Sequence, residues 1–312
     1  MDASKRIYMA GSGGMLGDAF HRVFGADSEL RCTDIDVNAP WLSHLDFRDF
    51  DSYRSDVRDF RPDYLFHLGA HTSLEHCEEN PDDAYATNTL AVEHAVHIAN
   101  ELAIPLLYIS TAGIFDGAKE TYDDWDEPNP LGHYARSKFM GEKFVAANCR
   151  EHLVCRAGWM MGGGPAKDKK FIQKLMKQLE EGATELFVVD DKLGTPTYTL
   201  DFARNVEALL ATRLWGIYNM VCSGVTSRLE VARYLVEALG LEQRIRVTPV
   251  SSDYFAEEYF ASRPASERLI TKKLDLRGLN LMRDWRVCLD EYLADAYAGY
   301  LSDGRTPTAS QG

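Results

Sequence analysis

The chain has 312 residues, 45% of them hydrophobic and 26% charged, ordinary values for a globular protein long enough to bury a large core. Its net charge of −14 argues against broad electrostatic binding to nucleic acid or an anionic membrane, while leaving room for a local basic pocket that holds a phosphate. No apolar run approaches membrane-spanning length, MDASKRIYMAG is too polar and short for a signal peptide, and six cysteines without CxxC or metal-type spacing read as reduced, buried thiols of a cytoplasmic protein.

In chain order, Arg6 to Ala10 reads as a buried strand, followed by the glycine-rich turn GSGGMLG and a helix to about Phe24. A second strand covers Leu30 to Asp34, and a short helix covers Phe50 to Phe60. Strands over Tyr64 to Gly69 and Leu106 to Ser110 flank a long helix from about Asp82 to Ala103, whose Ala84, Thr87, Leu90, Ala91, Val92 and Ala95 fall near one broad face. YARSKFMGEKFVAANC is helical and HLVCRAG returns as a strand. WMMGGGPAKDK reads as a loop, Lys169 to Glu181 as a charged helix and ELFVVD as a strand. GTPTYTLDFARNVEALLA gives a turn and a helix, and GIYNMV another strand.

Such alternation with apolar strands predicts an α/β fold, a doubly wound parallel sheet of the Rossmann type. The dinucleotide-binding domain is expected over 1–158, completed by about 196–222. Residues 159–195 and 223–301 are expected to build a smaller α/β substrate lobe, and the tail 302–312, rich in Ser, Thr, Gly and Pro, to be disordered. The substrate would sit between the lobes at the carboxyl ends of the strands.

Gly11, Gly14 and Gly17 are spaced GxxGxxG. The first permits a tight turn, the second close approach of a pyrophosphate, and the third close packing of helix on sheet, with the helix N-terminus facing the phosphates. Asp34 ends the second strand twenty residues after Gly14, where a carboxylate holds adenosine ribose hydroxyls. No Arg or Lys adjoins it to receive a 2′-phosphate, so NAD(H) is favoured, with NADP(H) the alternative. YxxxK places Tyr134 and Lys138 one helical turn apart. A lysine ammonium there would lower the phenol pKa, so that Tyr134 exchanges a proton with a carbonyl or alcohol. A strand-end hydroxyl, Ser110 or Thr111, would orient the same oxygen. His67, inside an apolar strand, reads as a core histidine, whereas His71 and Thr72 lie at the cleft edge. His94 and His97 have no accompanying carboxylate set of metal spacing, and no metal is expected.

These segments, together with GAHTSLEHCEENP, STAGIFDG, NPLGHYARSKFMGE, RAGW, VVDDKLGTPTY and ASRPASERL, resemble the extended short-chain dehydrogenase/reductases and, among them, the dTDP-4-dehydrorhamnose reductases, from about Arg6 to Leu293. The resemblance implies transfer of a hydride to the 4-keto group of a nucleotide-linked deoxysugar. Tyr134 would donate the proton, Lys138 hold the nicotinamide ribose and Thr111 polarise the carbonyl. Gly14, Met15 and Leu16 would meet the pyrophosphate, and Asp34, Asp46 and Phe47 the adenosine half. Ala70, His71, Thr72 and Ile109 would border the cofactor, Thr72 and Ala112 the substrate. Trp159 would pack on the sugar and Arg263 meet the diphosphate or base end. A homodimer is also implied.

The chain departs from the family's usual STDYVFDG, carrying Ala112 and Gly113 in place of the Asp–Tyr pair, Glu267 for the serine after RP, and Lys192 for a glutamine. The first change removes a carboxylate and an aromatic ring from the substrate side, so the pocket is expected to be altered while the hydride machinery is kept. Two other readings are an NAD-dependent sugar-nucleotide epimerase and a non-catalytic regulatory subunit like the beta subunit of methionine adenosyltransferase, which resembles the same family.

Overall fold

The structure, a computed structural model, describes residues 5–299; the tail expected over 302–312 lies outside them. The first half runs β1 (Lys5–Ala10), α1 (Met15–Phe24), β2 (Ser28–Asp34), β3 (Leu42–His44), α2 (Phe50–Phe60), β4 (Tyr64–His67), α3 (Leu74–Glu79), α4 (Pro81–Tyr85), α5 (Ala91–Leu102), β5 (Leu106–Thr111), α6 (His133–Asn148) and β6 (His152–Ala157). It continues with β7 (Trp159–Met161), α7 (Gly164–Lys167), α8 (Phe171–Glu180), β8 (Glu185–Val189), β9 (Leu193–Gly194), β10 (Pro196–Tyr198), α9 (Thr199–Thr212) and β11 (Gly216–Asn219). Last come β12 (Thr226–Ser227), α10 (Arg228–Ala238), β13 (Arg246–Val250), β14 (Ser266–Glu267), α11 (Lys272–Arg277) and α12 (Trp285–Ala296).

Seven strands form one sheet in the order β11–β6–β5–β4–β1–β2–β3, and every pair in it is parallel. The predicted doubly wound α/β fold is therefore present. Side chains alternate between two apolar layers. Ile7, Met9, Leu107 and Ile109 enter one cluster with α1 and α9, while Tyr8, Leu106 and Tyr108 enter the other with α2 and α5. Strand order reverses between β1 and β4, so the loops leaving their carboxyl ends diverge and open a crevice. Smaller sheets are built later in the chain: β7 with β10, β8 with β13, and β9 between β12 and β14.

Three local expectations are corrected. The helix over Asp82 to Ala103 is broken by a π-turn at Ala86–Leu90, because Asn88 and Thr89 there bond to α6 and to the loop after β4 rather than lying passively on a helix face. The stretch WMMGGGPAKDK is not all loop, since Trp159–Met161 pairs with Pro196–Tyr198. For the same reason the turn expected at GTPTY holds a short strand, β10, preceded by β9, which ends at Gly194 and pairs with β12 and β14.

Candidate active site

The glycine loop follows β1. Gly11 has φ +74°, and a Cβ on it would stand 2.2 Å from the Gly69 Cα, so the chain leaving β1 crosses that leaving β4 only because both are glycine. A Cβ on Gly17 would stand 2.0 Å from the Ser12 carbonyl oxygen, which seats α1 on its own turn. Gly14 caps α1, with no heavy atom within 4 Å of its missing side chain. The unpaired amides of the first turn, Met15 to Gly17, thus lie beside open space, as an anion site at a helix N-terminus requires.

Asp34 at the end of β2 turns back on this loop. Its carboxylate accepts from the Gly13 N–H at 2.7 Å and the Asp36 N–H at 2.9 Å. A Cβ on Gly13 would meet that carboxylate at 2.9 Å, so Gly13 is a site residue that glycine spacing alone did not reveal. The Phe47 ring is buried against Gly11 and Gly69. Asp46 is gripped by Arg48 at 2.6 Å, whose guanidinium holds the carboxyl below its usual range.

Beyond β4, the backbone of His71 is clamped by Asn88, whose amide oxygen accepts from the His71 N–H (2.8 Å) and whose amide nitrogen donates to the His71 carbonyl (3.0 Å). Away from His94 and His97, the side chains of His71, His76 and Asp83 come together with ligand atoms within 4.8 Å of one another. Hydrogen bonds account for the cluster. Asp83 Oδ2 faces His71 Nε2 at 2.7 Å and His76 Nε2 at 2.9 Å, Oδ1 takes Arg48 at 3.1 Å, and the Asn80 amide lies 3.5 Å from His76 Nδ1.

The catalytic candidates meet where β5 ends against the first turns of α6. Glu78 accepts the His133 N–H at 2.6 Å and so fixes the start of α6. Tyr134 is half-buried, and its ring edge and the Thr111 hydroxyl flank the same point beside Gly113, at 3.8 and 3.5 Å. Ser110, the other strand-end hydroxyl, is buried without a partner among the described residues. Lys138 is buried, donates to the Ile109 carbonyl at 2.7 Å and lies 4.3 Å over the Tyr108 ring.

The expected lowering of the phenol by Lys138 is not found. Burial pushes Tyr134 up to about 12; the Thr111 hydrogen bond opposes this and the Glu267 charge adds to it. Burial in turn drives Lys138 down to about 7, opposed by Glu142. Desolvation is the largest cause at both groups, and the lysine bonds to a carbonyl rather than to the phenol.

On the facing side, the Trp159 indole donates to Glu267 at 2.7 Å, and its ring carries the Arg228 guanidinium at 3.8 Å. Gly194 admits that ring, since a Cβ there would stand 2.1 Å from the Trp159 Cζ2. Arg263 is bound to Glu75 at 2.7 Å, and Lys192 reaches the Arg263 carbonyl at 3.3 Å. Lys170 bonds to the Thr72 hydroxyl at 2.9 Å, and its pKa is lowered by burial and then by Arg228, Lys174 and Arg263 nearby. Ala112 is buried in the short turn that follows Thr111. Of this basic group, the sequence alone points to Arg263 and Lys192. Arg228 and Lys170 begin helices in sequences that carry no motif, so only folding brings them together.

With this geometry in place, comparison with known proteins is informative. The family described as RmlD substrate binding domain matches residues 5–298. A dTDP-4-dehydrorhamnose reductase of Mycobacterium tuberculosis is 34% identical over 98% of this chain and 98% of its own. The spore coat polysaccharide biosynthesis protein SpsK of Bacillus subtilis is 29% identical over 93% of this chain and 97% of its own. Among solved structures, the dTDP-4-dehydrorhamnose reductase of Bacillus anthracis in complex with NADP superposes with a TM-score of 0.86 at 25% identity, covering 94% of this chain and 100% of that one.

Proposed function

This chain belongs to the family of the RmlD substrate binding domain, that of the dTDP-4-dehydrorhamnose reductases, and we propose that it reduces the 4-keto group of a nucleotide-linked deoxysugar with a nicotinamide dinucleotide. The observation that carries this reading is the meeting of Thr111, Tyr134 and Lys138 at the crevice end of β5. The bare α1 N-terminus beside Gly14, the crossing glycines Gly11 and Gly69, and Asp34 fit a dinucleotide. Met15, Leu16 and Gly17 would offer amides to its phosphates, Asp34 and Asp46 with Phe47 would hold the adenosine half, and Ala70, His71 and Ile109 would border the nicotinamide half.

When bound, the dinucleotide supplies the hydride. Thr111 and Tyr134 bring two hydroxyls to one oxygen, the position a ketone oxygen would take. A phenol held up to about 12 is protonated throughout the neutral range, so Tyr134 stands ready as the acid that completes the alcohol. Lys138, anchored on Ile109, holds the ribose and the approach of the ring. Arg228, Arg263 and Lys170 with Thr72 form the basic mouth for the diphosphate, and Trp159 walls the sugar. We read residues 159–195 and 223–301 as the lobe supplying Arg228, Arg263, Lys170 and Trp159, and the protein as cytoplasmic. Among the described residues no helix is long and apolar enough to cross a membrane, and all six cysteines are free and buried.

The test is nicotinamide absorbance during incubation with dTDP-, UDP- and GDP-linked 4-keto-6-deoxysugars. Dinucleotide oxidation with at least one sugar is expected; silence across the panel, with a tightly retained cofactor, would sink the reductase reading. We further propose a preference for NADH, since Asp34 would repel a 2′-phosphate. Asp34→Ser is expected to reduce the NADH-over-NADPH ratio of kcat/KM by about tenfold, equivalent to roughly 1.4 kcal/mol. An unchanged ratio would remove Asp34 from that role.

A further inference from the structure

We infer that Glu267 and Gly113 together form an acceptor subsite that requires a hydrogen-bond donor, a hydroxyl or amino group, on the sugar carbon beside the reacting carbonyl. The inference rests on the sugar-nucleotide reading above. Glu267 ends β14 and reaches towards the phenol. Its Oε2 accepts the Trp159 indole N–H at 2.7 Å. Its Oε1 lies 3.3 Å from the point where a Cβ on Gly113 would stand, while the Thr111 hydroxyl is 3.5 Å and the Tyr134 ring edge 3.8 Å from that same point.

Three groups thus ring a space left free by the missing side chain at position 113. A carboxylate only accepts hydrogen bonds. With Oε2 taken by the indole, and no bond from the described residues ending on Oε1, the second oxygen is left to whatever enters this space. Arg228, stacked on the Trp159 ring at 3.8 Å, is attracted to the Glu267 charge and offsets it. Gly113 and Glu267 depend on each other, because a side chain at 113 would occupy the space that the carboxylate faces. The two positions therefore act as one unit in what the pocket reads. The ring carbon that carries the required donor is the one next to the ketone, C3 of a 4-keto sugar, since Thr111 and Tyr134 hold the ketone oxygen at the edge of the same space.

The test is titration calorimetry of the wild-type protein and of Glu267→Ala and Glu267→Gln with rhamnose and 3-deoxyrhamnose, each linked to dTDP and to UDP. Wild type is expected to bind the hydroxylated sugar about 10- to 100-fold more tightly, the span of a hydrogen bond to a charged acceptor. Glu267→Ala is expected to bind the two sugars alike. Glu267→Gln, isosteric and safe for folding, is expected to lose most of the preference. Equal binding by wild type, a preference that survives both substitutions, or no binding of any of the four would overturn the inference. Turnover is scored separately: discrimination in binding without reduction of any 4-keto sugar removes the reductase reading and leaves the subsite standing. Reduction without discrimination does the reverse.

Discussion

Tyr134→Phe is expected to lower the rate of ketone reduction by a factor on the order of 10³, within the span of a positioned general acid, while changing dinucleotide affinity little. The two effects separate because the groups are anchored separately. Lys138 is fixed by the Ile109 carbonyl at 2.7 Å and by the Tyr108 ring, neither of which involves the phenol. Single-turnover rates and dinucleotide titration of the same sample check both halves. An equal loss in binding and rate would show the tyrosine to be a structural support. Wild type adds a pH signature. Burial holds Tyr134 up to about 12, so its proton is present from acid through neutral pH and is lost only as the pH approaches that value. Reduction should keep its acid well above neutrality, whereas the reverse oxidation, which needs the phenolate, should still be rising at high pH. Glu267→Gln removes one cause of the elevation and should bring the rise in oxidation to lower pH.

Glu142→Ala is expected to cost about 3–5 kcal/mol, because it leaves the Arg156 charge buried and unpaired. Arg156 and Glu142 are bonded at 2.5 Å with side chains only 4% and 2% exposed. A second guanidinium nitrogen reaches both carboxylate oxygens, at 3.1 and 3.2 Å. The pair ties α6 to β6 one helical turn beyond Lys138, so the melting temperature should fall by roughly 10 °C. The double variant Glu142→Leu with Arg156→Met should recover most of that loss, since apolar groups of similar volume remove both desolvation penalties. If the single variant melts like wild type, the pair contributes nothing to stability.

What could be read before folding was whatever repeats along the chain or is spaced by a motif. Strand–helix alternation predicts a parallel, doubly wound sheet because strands such as β4, β5 and β6 are apolar on both faces, whereas the short edge strand β3, Leu-Ser-His, carries no such signal. Gly11 and Gly17 were legible because the turn and the seat of α1 leave no room for a side chain, and the places of Asp34, Tyr134 and Lys138 because a strand end and an i, i+4 helical spacing fix them. Arg228, Lys170, Glu75 and Gly13 were not. A cation at a helix start or an acid on a short helix looks like an ordinary surface residue until distant segments close around it. The phenol pKa was misjudged for a related reason: YxxxK gives the spacing of two side chains but not the depth at which they lie, and depth decides the sign here. The π-turn escaped because the composition of Ala86–Leu90 is fully compatible with an α-helix.

That turn makes the stretch between β4 and β5 sensitive to chain length. One surplus residue at Ala86–Leu90 sets the angular phase of α5 relative to α4, so each helix presents its own side to its own neighbours. Asn88, at the bulge, acts as a rivet between the loop at His71 and Ser137 on the helix bearing Tyr134. Removing a single residue there would restore a regular spiral, rotate everything after it by about 100° and tear the rivet out. Insertions and deletions should therefore be far less tolerated across those five positions than in surface loops of equal length, although none of the five touches the reacting atoms.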